Sequence, residues 1–102
     1  VAIIRAAHPS TPLVFLQTVV RGTGNFNLER RAGELHKRQA AAEGMRRLIA
    51  AGDRNLYFLD PGLDPGSEAL VDGTHPSDLG FKLIADRLEK QLLRIFKHYD
   101  IR

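Results

Sequence analysis

Leu13-Val14-Phe15-Leu16-Gln17-Thr18-Val19-Val20 is an almost unbroken apolar and β-branched run of strand length, the composition of a strand covered on both faces. A second run of this kind, Asn55-Leu56-Tyr57-Phe58-Leu59, lies downstream. Between them Leu28, Ala32, Leu35, Ala42, Met45, Leu48 and Ile49 fall at three- and four-residue intervals, apart from one gap filled by Gln39. That spacing predicts a long helix with one apolar and one charged face, capped by Asn27 and stopped by Gly52. Upstream, VAIIRAAH matches the last two turns of an amphipathic helix that Pro9 ends. Downstream, Phe81, Ile84, Leu88, Leu92, Ile95 and Tyr99 repeat with helical spacing, with Lys82, Arg87, Lys90, Arg94 and Lys97 on the other face and Ser77 or Thr74 suited to the N-cap. The order helix, strand, helix, strand, helix predicts an α/β domain with a parallel sheet.

The chain has 102 residues, the size of one domain or part of one. Hydrophobic residues make up 43% and charged residues 26%, which excludes a disordered, coiled-coil or collagen-like chain. No uncharged apolar run approaches the roughly 18 residues a membrane span requires. Without cysteine, disulfide scaffolds, thiolate metal sites and cysteine nucleophiles are excluded together. Fifteen Lys and Arg against twelve Asp and Glu give a net charge of +3. The cations are interleaved with acids, as in Glu34 with Arg38 and Glu43 with Arg47, so solvated helix faces account for them and nucleic-acid binding ranks last among the readings.

Two buried-type strands joined by one crossover need neighbours and cover that two strands cannot supply. The chain also opens within a helical pattern and without an initiator Met. The expectation is therefore that residues 1–102 are the C-terminal fragment of a larger α/β domain.

The long segment from Asp60 to Pro76, DPGLDPGSEALVDGTHP, has two Pro-Gly pairs and little periodicity, as an ordered functional loop does. It follows the second strand, and ligands of open α/β sheets sit beyond the carboxyl ends of strands. Within it, Asp72-Gly73-Thr74-His75-Pro76 sets a carboxylate three residues before an imidazole. Such an Asp can accept from the ring nitrogen that faces away from a substrate and so orient a general base. By spacing alone, an Asx-turn beside an exposed imidazole fits equally well, and Asp72, His75 and Asp78 would also suit a zinc or manganese ion.

The longer string VDGTHPSDLGFKLIADRLEKQL resembles the C-terminal block of the SGNH hydrolases, the GDSL-type esterase and lipase superfamily, in which Asp-x-x-His-Pro is followed by a helix. The resemblance extends over nearly the whole chain: IRAAHPSTPLVFLQTV is similar to the preceding helix and strand, and GDRNLYFLD to the last sheet strand. It implies the C-terminal part of a three-layer α/β/α, flavodoxin-like domain. His75 would be the general base that takes a proton from a serine nucleophile, and Asp72 would hold the ring's tautomer. Ser67-Glu68-Ala69-Leu70-Val71 before the motif resembles the lead-in of bacterial carbohydrate O-acetylesterases. That likeness implies an O-acetyl or short acyl ester of a small molecule or carbohydrate as substrate, no cofactor, no metal, and a secreted or periplasmic parent.

The family's nucleophilic Ser in a Gly-Asp-Ser block, and its oxyanion-hole Gly and Asn, have no counterpart here. Gly52-Asp53-Arg54 has Arg where Ser is required and leads into a strand instead of following one. Gly22-Thr23-Gly24-Asn25 has the family's Gly-x-Asn form but the wrong order along the chain. Ser10 sits at a helix-strand junction and Ser77 at a helix start, so Ser67 is the one serine in reach of the dyad, and it matches nothing in the family. His8, His36 and His98 belong to helix ends and charged helical stretches. Phe15, Tyr57, Phe58, Phe81 and Phe96 are expected in the core, with a substrate role open to Phe81. The rival from another class is a non-catalytic α/β binding module that keeps the loop of the SGNH fold and lacks its nucleophile.

Overall fold

The computed structural model describes residues 1–22, 27–62 and 68–102. Among them, α1 (Ala2–Ala7), β1 (Leu13–Leu16), α2 (Leu28–Ala50), β2 (Leu56–Leu59) and α3 (Asp78–His98) follow in that order. The two strands pair in parallel, Leu13 opposite Leu56 through Leu16 opposite Leu59. This is the α/β arrangement expected from the alternation of helical and strand patterns.

Alternation along the strands sends Val14, Tyr57 and Leu59 to one face, where Leu88 and Ile95 of α3 bury against them with Ile84, Leu92 and Tyr99 at the margin. Phe58 points to the opposite face, where it lines a cavity together with Ala42, Arg46, Ile49 and Ala50 of α2. The sheet therefore lies between two helices, a narrow three-layer sandwich.

Both strands are shorter and less covered than their composition suggests. β1 ends at Leu16, not Val20. Beyond it the Gln17 amide still donates to the Leu59 carbonyl at 2.7 Å, and the buried Gln17 side chain donates to the Arg38 carbonyl at 3.0 Å. With its polar side chain taken up by α2, the chain leaves the sheet. Leu16 is 52% exposed, because each strand of a two-stranded sheet has a free edge. For the same reason no residue of α2 is buried, and Leu28, Leu35, Leu48 and Ile49 of its expected apolar face stand exposed. Two strands spaced about 4.8 Å apart are narrower than the helix laid across them. The ends of α2 do match expectation: Asn27 Oδ1 accepts from the Arg30 amide at 3.0 Å, and Gly52 takes φ +110° after the last turn.

Arg5 joins α1 to the start of the sheet. The Arg5 guanidinium grips both carboxylate oxygens of Asp53 (2.8 and 3.0 Å) and donates to the carbonyls of His8, Thr11 and Asn55. The bond from Arg5 holds the Asp53 carboxyl below its usual range. The motif Gly52-Asp53-Arg54 is therefore structural, and it sits where the strands begin.

At that same end Tyr57 and Tyr99 meet edge to face, with their hydroxyls 3.0 Å apart, and Tyr99 donates to Asn55 Oδ1 at 2.6 Å. Burial first, and then the bond with Tyr57, push the Tyr99 phenol up to about 12. A native pKa raised above the unfolded value near 10 favours the neutral phenol in the folded state. The stabilisation is complete below about pH 10 and is lost as pH rises through the native pKa of about 12. Urea denaturation between those limits is expected to show falling stability in the wild type and a flatter profile in Tyr99→Phe.

Candidate active site

The segment carrying the motif is a small hairpin seated on the start of α3. Leu70 bridges Pro76 in antiparallel fashion, Val71 donates to the His75 carbonyl at 2.8 Å, and Ser77 donates to the Ala69 carbonyl at 2.8 Å. Ser77, not Thr74, is the N-cap: its Oγ accepts from the Gly80 amide at 3.1 Å and donates to the Glu68 carbonyl at 3.0 Å. One hydroxyl thus ties the helix start to the base of the hairpin, and such a cap is worth about 1 kcal/mol. Asp78 occupies the first turn, where a carboxylate complements the helix dipole.

Gly80 is buried where α3 crosses the hairpin. A Cβ there would collide with the Ala69 carbonyl and press on the Pro76 ring. Close approach of two backbones at this point requires glycine. At the hairpin tip Gly73 adopts φ +77°, a left-handed conformation that a side chain would strain.

This tip brings Asp72 and His75 together. His75 Nδ1 lies 2.6 Å from Asp72 Oδ2, while Asp72 Oδ1 accepts from the backbone amides of His75 (2.8 Å) and Thr74 (2.9 Å). The two readings of the spacing therefore coexist: the Asx-turn orients the carboxylate, and its second oxygen orients the ring. The His75 backbone bond, then its ring, then the Thr74 amide hold the Asp72 carboxyl well below the usual range. An ionised Asp72 places the ring proton on Nδ1 and leaves the Nε2 lone pair free. Among the described residues nothing bonds Nε2, and the His75 side chain is 76% exposed.

Because the Asp72 pKa is depressed, its contribution to the loop is complete above the unfolded value near 4 and is lost as pH falls through the native value. The Thr74 and His75 amides are thus expected to keep their exchange protection down to pH 4, measured by hydrogen exchange, and to lose it at every pH in Asp72→Ala.

The dyad stands at the carboxyl end of the sheet. α3 runs back along the strands, Tyr99 lying at their start by Asn55 and Arg87 reaching the Pro61 carbonyl (2.8 Å) and the Gly62 carbonyl beyond their end. Its first turns therefore extend past the ends of the strands, which explains one mistaken expectation: Phe81 is 61% exposed, since none of the described strands reaches beneath it. Phe96, also expected in the core, is 39% exposed.

Two contacts at this edge escaped the sequence reading. Arg38 does not pair with Glu34. Its half-buried guanidinium reaches instead to Asp60 at 2.8 Å and to the Thr18 carbonyl, joining the ends of both strands. Glu34 pairs with Arg21 at 3.6 Å, whereas Glu43 does meet Arg47, at 2.9 Å. The Gly22 amide donates to the Gly73 carbonyl at 2.6 Å, so the segment after β1 touches the tip that carries the dyad. A main-chain bond of this kind has no signature in side-chain pattern.

Gly24, Asn25 and Ser67 lie outside the described residues. His8 caps α1, His36 is exposed on α2, and His98 ends α3 against Tyr99. Among the described residues no three His, Asp or Glu side chains converge to hold a metal ion, Asp72, His75 and Asp78 included. None of the described helices is long and apolar enough to cross a membrane.

Comparison with known proteins bears on this geometry. The model of a family described as GDSL-like lipase/acylhydrolase matches residues 1–93. The fold superposes with a TM-score of 0.82 on a crystal structure from Bacteroides ovatus described as a GDSL-like lipase, 37% identical over 94% of this chain. The chain spans 29% of the length of that protein. No curated protein matches it.

Proposed function

This chain belongs to the GDSL-like lipase/acylhydrolase family of the SGNH hydrolase superfamily, a family of hydrolases, and on that basis we propose that it supplies the general base and orienting carboxylate of a serine esterase. The observation that carries the proposal is the 2.6 Å contact of His75 Nδ1 with an ionised Asp72, which leaves Nε2 unbonded among the described residues. In the reaction, Nε2 takes the proton of a serine hydroxyl as its oxygen attacks the ester carbonyl, then gives that proton to the departing alcohol. A water molecule, deprotonated by the same nitrogen, releases the acid from the acyl-enzyme. Asp72 keeps the ring in the productive tautomer and offsets the charge of the imidazolium. The substrate is an O-acetyl or similar short acyl ester.

The nucleophile and oxyanion donors come, on this reading, from further chain of the same domain. The 29% coverage of the matched structure supports it, as do the exposed Leu16 and the uncovered apolar residues of α2. The test is hydrolysis of p-nitrophenyl acetate by the full-length natural protein, with and without a serine-directed phosphonate. Turnover abolished by the phosphonate is the expected result. An inert full-length protein would return the chain to the non-catalytic binding module.

A further inference from the structure

Behind the segment that touches the dyad tip lies a polar cleft of about 250 Å³, lined by Arg21, Arg30, Gly33, Glu34 and Lys37. Arg30, Gly33, Glu34 and Lys37 recur at intervals of three and four along the first turns of α2 and so form one stripe. Arg21 faces this stripe from the segment after β1, held by Glu34 at 3.6 Å. Three cations against one carboxylate leave the cleft positive by two charges. Among the described residues Arg30 and Lys37 make no ion pair, as is true of most cations of the chain, so Glu34 is the carboxylate that offsets charge in the cleft.

Gly33 stands inside α2, where glycine costs about 1 kcal/mol relative to alanine. A Cβ there would meet nothing within 4 Å, so no packing contact demands the glycine. Gly33 lines the cleft between Arg30 and Lys37 and puts no side chain into it.

Position links the cleft to the chemistry. Arg21 is covalently next to Gly22, whose amide donates to the carbonyl of Gly73 between Asp72 and His75. A group held by Arg21 is thus one residue away from the backbone bond to the tip that carries the dyad. We propose that this cleft binds an oxyanion, a carboxylate or sulfate, carried on the substrate at a distance from the scissile ester, so that the preferred esters are those of acidic saccharides. Guanidinium groups bind such planar or tetrahedral oxyanions through paired hydrogen bonds, and an unpaired lysine adds a point charge. The inference rests on the esterase reading for its kinetic half and on binding alone for the other.

The test uses the full-length protein and two acetylated substrates, an oligogalacturonate bearing carboxylates and a neutral xylo-oligosaccharide. Binding of unacetylated oligogalacturonate and of a sulfated oligosaccharide is followed by calorimetry. The wild type is expected to favour the acidic ester by at least about tenfold in kcat/KM, a ratio that shrinks toward one near 1 M salt, where the screening length is about 3 Å. The combined variant Arg21→Gln, Arg30→Gln, Lys37→Gln is expected to lose that preference. Gly33→Leu, which fills the floor with a better helix former, is expected to lose it without loss of helix. Whether the carboxylate or the sulfate probe binds decides which oxyanion the cleft takes.

Equal turnover of both esters by the wild type, or a preference that survives in both variants, would overturn the proposal. If no ester is cleaved but oligogalacturonate binding disappears in both variants, the esterase reading fails and the cleft stands. Phosphonate-sensitive hydrolysis without charge preference gives the reverse.

Discussion

His75→Ala in the full-length protein is expected to lower kcat for p-nitrophenyl acetate on the order of 10⁴-fold, with the far-ultraviolet circular dichroism and the thermal midpoint unchanged. The two halves of this expectation have separate physical origins. The ring is 76% exposed and makes one side-chain hydrogen bond, to Asp72, so its removal empties no core. Under the proposed mechanism catalysis, by contrast, loses the acceptor that takes the serine proton, and water cannot replace a base already oriented by a fixed carboxylate. Asp72→Ala should cost about a hundredfold less than His75→Ala, since the imidazole survives with its orientation weakened. Turnover that persists in His75→Ala, measured by burst-phase and steady-state kinetics, would remove the dyad from the mechanism.

Gly80→Ala is expected to destabilise the protein by roughly 3 kcal/mol and to lower turnover as well, because the added methyl meets backbone, not a side chain that can turn away. To admit it, the first turn of α3 must part from the Ala69 carbonyl. That displacement breaks the Ser77 bonds to Glu68 and Ala69 and shifts the base of the hairpin on which Asp72 and His75 stand. The expected pattern is a lower urea midpoint together with a reduced kcat, whereas His75→Ala reduces kcat alone. A Gly80→Ala protein with wild-type stability and turnover would show that the hairpin does not depend on this contact.

Much of the site was legible in the sequence because its chemistry is local. Asp72 and His75 are three residues apart, and Ser77 caps a helix that starts one residue later; each follows from short-range stereochemistry that any chain with those residues obeys. Element types were legible for the same reason, since Asn27 and Gly52 bracket α2 as capping rules require. Extent and cover were not legible. The run Leu13–Val20 has strand composition throughout, yet β1 stops at Leu16, where Gln17 finds its partner in the Arg38 carbonyl on a helix distant in sequence. Phe81 keeps the helical repeat of the core but lies past the ends of the described strands, and periodicity records the face of a helix without recording where its support ends.

The pairing of Arg38 with Asp60 in place of Glu34, and the bond between Gly22 and Gly73, likewise depend on which strand ends come together. The sequence by itself determined the alternation of helix and strand, the family resemblance and the pairing of Asp72 with His75, because these rest on backbone preference and on neighbours a few bonds apart. The tertiary structure decided which cations are spent on joining elements and which are left facing a cleft. That outcome depends on packing distances between segments whose separation along the chain carries no information about their separation in space.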